Sequence, residues 1–188
     1  MMQLSDGEKL ILMMLCEIYE KLQVNGEMDT KLVRSAILDG QLWALKWEMS
    51  GIFHGSEPTD EMVQEVCEIL DMWRSLERSY HSLSPEDKER VKKEAEPFGE
   101  YVQFRGFDGN NEGHYGCIAR FLVEEMGRYR EFKGRDMDSH MPLSLETYRR
   151  MLEAYKPLRT SRDLTSSEIV KILQEKMHPE RRKAVGVN

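Results

Sequence analysis

Between Thr59 and Ser82 the chain reads TDEMVQEVCEILDMWRSLERSYHS, with apolar side chains at Met62, Val66, Ile69, Leu70, Trp73, Leu76 and Tyr80. Spacings of three and four repeat the helical period and fit no strand, where every second side chain would face the core. Thr59 supplies a hydroxyl for the free amides of the first turn, and Asp60 and Glu61 meet the positive end of the dipole. A helix of this length with one unbroken apolar stripe is stable in water only when that stripe is covered along its length. Other helices of comparable reach must therefore lie against it.

The rest of the sequence supplies them. SDGE at 5–8 forms a capping box ahead of Ile11, Leu15, Ile18 and Leu22, and TSSE at 165–168 forms another ahead of a last helix to about Met177. Asp29 caps a helix carrying Leu32, Val33, Ala36 and Ile37, which Gly40 stops. QLWALKWEMSGIF at 41–53 reads as a short, very apolar helix. Ser84 and Pro85 open a charged surface helix to about Glu96. Tyr115, Ile118, Ala119, Leu122, Met126 and Tyr129 predict a second long helix over 111–132, the natural partner of the 59–82 stripe. Ser144 caps a helix that Pro157 keeps from continuing past Tyr155. The expected fold is all-α: about eight helices in an irregular bundle with two long central helices and no convincing strand. Residues 1–177 form one helical domain, and 178–188 form a polar, basic, disordered tail.

Composition narrows the class. In 188 residues, 40% are apolar and 32% charged, which is globular rather than disordered usage. The longest apolar run, LILMMLC at 10–16, is too short for a membrane span, and no signal-peptide cleavage site follows it. Cys16, Cys67 and Cys117 form no CxxC pair, so a reducing cytoplasm with three core thiols is expected, and zinc held by cysteine is not. Of the net charge of −7, residues 1–100 carry 11 Lys and Arg against 21 Asp and Glu, while residues 101–188 carry 16 against 13. The acidic first half disfavours polyanions there. A helix-turn-helix over residues 30–49 would send Trp43, Leu45 and Trp47 into the major groove with Lys46 as its single base. That composition belongs to a buried helix, so DNA is not an expected partner.

The candidate chemistry gathers in GFDGNNEGHYG, 106–116. Counted from Asp108, oxygen ligands fall where a calcium loop has them and Gly113 takes its turn position, but the bidentate carboxylate position falls on Ala119. Asp108, Asn110, Asn111 and Glu112 fit better as a turn, permitted by Gly106 and Gly109, and as caps for the following helix, with Phe107 as a packing anchor. DMDSH at 136–140 sets Asp136, Asp138 and His140 on alternate positions without a second ligand motif, and it too reads as a turn. Glu124 with Arg128, and Arg149 with Arg150, read as solvated helix faces. No cofactor is called for. Should the chain be an enzyme, the catalytic candidates are Asp108, Glu112, His114, Tyr115, Arg120 and His140. They would act as a hydrolase on RNA or a phosphorylated small molecule, provided the 106–116 and 135–142 loops meet around a cleft.

RGFDGNNEGHYG, ARFLVEEMGRY and DSHMPLSLETYRRML, in that order, resemble the C-terminal half of the YfbU family. EILDMWRSLERSY resembles its long central helix, and LDGQLWALKWEM is a looser match to the segment before it. The resemblance spans roughly residues 5–175. It implies an all-helical, cytoplasmic bacterial protein and brings no reaction, cofactor or catalytic residue with it. The apolar surplus on the 10–22 and 41–53 segments points instead to a homo-oligomer or to a protein partner, RNA remaining a candidate only under the enzymatic reading.

Overall fold

The computed structural model describes residues 3–53, 57–139, 144–159 and 162–177; His140 and the tail 178–188 lie outside these. Among the described residues there are eight α-helices: α1 (Asp6–Lys21), α2 (Thr30–Leu38), α3 (Leu42–Glu48), α4 (Asp60–Ser82), α5 (Pro85–Glu94), α6 (Gly113–Arg120), α7 (Ser144–Tyr155) and α8 (Ser166–Gln174). The fold is predominantly helical, as the periodicity requires.

The start signals act as read. Ser5 and Glu8 close a capping box on α1, as Thr165 and Glu168 do on α8. Asp29 accepts from the amides of Lys31 and Leu32, Thr59 from Met62, and Ser84 from Asp87 with Pro85 at the first helical position. Gly40 adopts φ +68°, the left-handed conformation that ends α2.

Contacts divide the chain into two compact units, Met1–Glu57 and Pro58–Asn188. In the first, α2 packs on both α1 and α3, and the buried apolar residues are Cys16, Val33, Ala36 and Leu45. The second is built on α4, which packs on α6, α7 and α8, while α5 covers α8. Its core is aromatic. Trp73 and Tyr148 meet edge-on at 5.8 Å, and Phe104 contacts Phe107 edge-on at 5.7 Å and Phe132 at 5.5 Å. Glu77, 7% exposed, lies beside this core because Arg135 pairs with it through both terminal nitrogens, at 2.7 and 2.8 Å. The same carboxylate accepts the Phe104 amide at 2.7 Å.

Four expectations are corrected. The second long helix does not run to Phe132. After Arg120 the backbone widens into a π-helical turn, Phe121–Glu125, and Gly127 at φ +62° lets the Arg128 amide close onto the Leu122 carbonyl. Met126 of the apolar stripe is left exposed, but Tyr129, in a left-handed conformation ahead of a 3₁₀ turn at Arg130–Phe132, still packs against the core and donates to the Cys67 carbonyl. Glu124 consequently accepts from the Gly134 amide. Among the described residues two short strands do exist, β1 (Phe107–Asp108) and β2 (Asp138–Ser139), paired in parallel. Helix α3 is not a buried helix: Leu45 is covered in its packing against α2, but Trp43 and Trp47 are 59% and 76% exposed. Cys16 is buried, but Cys67 is half-buried and Cys117, on the outer face of α6, is exposed.

Candidate functional site

The GFDGNNEGHYG stretch earns its glycines from close backbone approach. Gly106 sits at φ +80°, and a Cβ there would strike the Met137 carbonyl; a Cβ at Gly116 would strike the Asp138 carboxylate. With both side chains absent, the loop before α6 lies directly on the segment before α7. Phe107 donates to the Met137 carbonyl at 2.8 Å, Gly109 to Ser139 at 3.0 Å, and the Ser139 hydroxyl returns to the Phe107 carbonyl at 3.1 Å. The 106–116 and 136–139 segments thus meet, as the enzymatic reading requires.

The acids at this junction are engaged. Asp108, 2% exposed, accepts the Asn110 amide through Oδ1 and the Asn111 side-chain amide through Oδ2, a turn closed on itself. Glu112, 8% exposed, occupies the N-cap position of α6 but makes no side-chain bond to it. Its carboxylate crosses instead to α7, where it accepts the Leu145 amide at 2.9 Å and the Ser144 hydroxyl. It also accepts the Asp108 amide at 3.0 Å. The expected turn is therefore present, closed by Asp108, while the expectation that Glu112 caps α6 is corrected: it ties the loop to the start of α7. Tyr148 completes the tie by donating to the Gly106 carbonyl at 2.7 Å, and burial holds its phenol well above the usual tyrosine range.

Of the remaining candidates, Arg120 stays at this junction, paired at the surface with Asp138 of β2, and His114 is exposed on α6. Tyr115 packs its ring on Phe107, but its hydroxyl enters a different feature, a cleft of about 700 Å³ between α4 and α7. There it donates to Glu65 Oε2 at 3.1 Å, and Arg149 clasps the same carboxylate at 2.6 and 2.9 Å. The Arg149 guanidinium holds the Glu65 carboxyl below its ordinary range against the opposing effect of burial, with Tyr115 assisting. Burial and the Glu65 carboxylate push the Tyr115 phenol up. At the cleft's far end Lys156 bridges Glu153 at 3.1 Å and Glu68 at 3.8 Å. The cleft is thus lined by acids and bases already paired across it, an arrangement that joins helices. Among the described residues no three His, Cys, Asp or Glu side chains converge to hold a metal ion.

The Glu65–Arg149 pair was not legible in the sequence, where Arg149 reads as part of a solvated face. The two are 84 positions apart, and only the packing of α7 on α4 brings them together.

The largest unsatisfied feature lies in the first unit. Leu10, Ile11, Met14, Leu15, Ile18 and Leu22 are 52–70% exposed along one side of α1, opposite the side that buries Cys16. Leu38, Trp43, Trp47 and Ile52 add a second exposed group, with the two indoles 5.8 Å apart. Among the described residues no helix is long and apolar enough to cross a membrane.

Comparison with known proteins places this architecture. The family model of the YfbU domain matches residues 2–175. The UPF0304 protein MJECS11 of Methanocaldococcus jannaschii is 30% identical over 176 residues, which covers 90% of this chain and 98% of the relative.

Proposed function

This chain belongs to the YfbU family, and we propose that it works through self-association, with the first unit as the association module. The observation that supports this reading is the apolar side of α1. Six large side chains there are at least half exposed, while the same unit buries only Cys16, Val33, Ala36 and Leu45 as core among the described residues. Fully burying a side chain of this size stabilises by about 1.5–3 kcal/mol, so leaving six in water is a large unused driving force. Contiguous apolar patches of this kind mark interfaces. In the second unit, by contrast, Glu65, Glu77 and Glu112 are each held by partners from another element, consistent with a scaffold. The cytoplasm is the compartment this reading implies, and the free thiols of Cys16, Cys67 and the exposed Cys117 support it.

Size-exclusion chromatography with light scattering tests the proposal. The full chain, 22.1 kDa, should elute at a multiple of that mass at micromolar concentration. A strict monomer at 100 μM would overturn the reading.

A second reading, a hydrolase acting on RNA or a phosphorylated small molecule, is favoured by one observation: the β1–β2 pairing that brings the 106–116 and 136–139 segments together. The engagement of Asp108 and Glu112 with backbone amides weighs against it. Cleavage of RNA or of bis(p-nitrophenyl) phosphate that His114→Ala abolishes would support it; equal cleavage by wild type and variant would remove it.

A further inference from the structure

We infer that the occupant of the exposed face of α1 is the same face of a second copy, laid antiparallel about a two-fold axis. This rests on the self-association reading and specifies its surface and its geometry.

The spacing comes first. Ile11, Leu15, Ile18 and Leu22 follow steps of four, three and four, the alternation of a two-helix seam in which side chains of one helix enter the gaps of another. All four are 52–70% exposed, and Met14, 56% exposed, flanks them. The opposite side, with Cys16, packs against α2, and the face that carries the seam is exposed among the described residues. The seam is also its own complement. Rotation about a point between Leu15 and Ile18 sets Ile11 against the partner's Leu22 and Leu15 against the partner's Ile18, pairing residues of similar volume at every level. A surface that matches itself closes as a dimer and leaves no open end.

The helix dipoles set the direction. In a parallel pair the two dipoles would repel, and Asp6 and Glu8 at the start of α1 would lie against their own copies. In the antiparallel pair the dipoles oppose and those acids are kept apart.

The area is sufficient. Six side chains at these exposures present on the order of 500 Å² of apolar surface per copy, so covering both removes about 1,000 Å², at the threshold of a specific interface. The exposed Leu38, Trp43, Trp47 and Ile52 of the same unit offer further apolar surface beyond that seam.

The test uses the full chain in a Cys117→Ser background, which removes the exposed native thiol. Ile11→Cys and Leu22→Cys chains are prepared separately, mixed, equilibrated and oxidised mildly. The inference expects a covalent dimer from the mixture at least ten times the yield from either chain alone. Ile18→Glu should raise the dimer dissociation constant at least a hundredfold, while circular dichroism shows the helices intact. Homodimers that cross-link through Ile11→Cys alone would mean a parallel pair and overturn the inference while leaving self-association standing. A stable oligomer insensitive to Ile18→Glu would place the contact elsewhere, with the same consequence. A monomer throughout removes both.

Discussion

Replacing Glu112 by glutamine separates a structural acid from a chemical one. The carboxylate faces three donors and no acceptor: the Asp108 amide at 3.0 Å, the Leu145 amide at 2.9 Å and the Ser144 hydroxyl. Only the hydroxyl can rotate to change its role, since it also accepts from the Asp108 amide at 2.8 Å. A glutamine keeps one oxygen acceptor but points an NH₂ at a buried amide N–H, leaving at least one donor unsatisfied. A bond to a charged acceptor contributes about 1.5–3 kcal/mol, and an orphaned buried donor costs about 1–3 kcal/mol. Loss of the cap on α7 adds about 1 kcal/mol, with overlap between these terms. Glu112→Gln should therefore destabilise by about 2 kcal/mol and Glu112→Ala by about 3 kcal/mol, lowering the melting temperature by roughly 6 and 9 °C. Thermal unfolding should be followed through Trp73, which is fully buried in the second unit, in a Trp43→Phe/Trp47→Phe background so that it is the sole tryptophan. Glu125→Ala, at an exposed position, serves as the control and should move the midpoint by under 1 °C. If Glu112→Gln melts with wild type or above it, the carboxylate is not a structural tie, and a catalytic or ligand-binding role regains its standing.

Three further outcomes are expected. Glu77→Ala should destabilise the second unit by about 3–5 kcal/mol in urea titrations, because it strands the Arg135 guanidinium and the buried Phe104 amide; a loss under 1 kcal/mol would show that solvent reaches both. Lys176 lies over the rings of Trp73 and Phe98, and burial, with Arg105 adding to it, lowers its ammonium to about 8. The folded state therefore releases this proton before the unfolded chain does, and stability contributed at this site rises as pH climbs from about 8 toward the ordinary lysine value. Lys176→Met should flatten that rise in denaturation curves taken between pH 7 and 10, and an unchanged slope would refute it. Gly106→Ala places a Cβ against the Met137 carbonyl in a left-handed conformation, and should cost about 2 kcal/mol or more and weaken the β1–β2 pairing in hydrogen exchange. Full protection of the Phe107 and Gly109 amides in that variant would contradict this account.

The sequence by itself determined the local structure of this protein. Ser5, Asp29, Thr59, Ser84 and Thr165 mark their helix starts because capping is a bond between residues two or three apart, and the α4 stripe declares its buried face through spacing alone. The apolar surplus of α1 was legible for the same reason, as was the family, whose motifs are linear. What the tertiary structure decided is where each polar group finds its partner. Glu112 looked like the cap of its own helix and caps α7. Arg149 looked solvated and holds Glu65. Tyr115 looked like a member of the loop cluster, and its hydroxyl enters the α4–α7 cleft. The π-helical turn after Arg120 and the exposure of Trp43 and Trp47 belong to the same class. Hydrogen bonds and ion pairs act over about 3 Å whatever the separation along the chain. A sequence fixes which groups seek partners, and only the packing of α7 on α4 and of β1 on β2 fixes which partners come within reach.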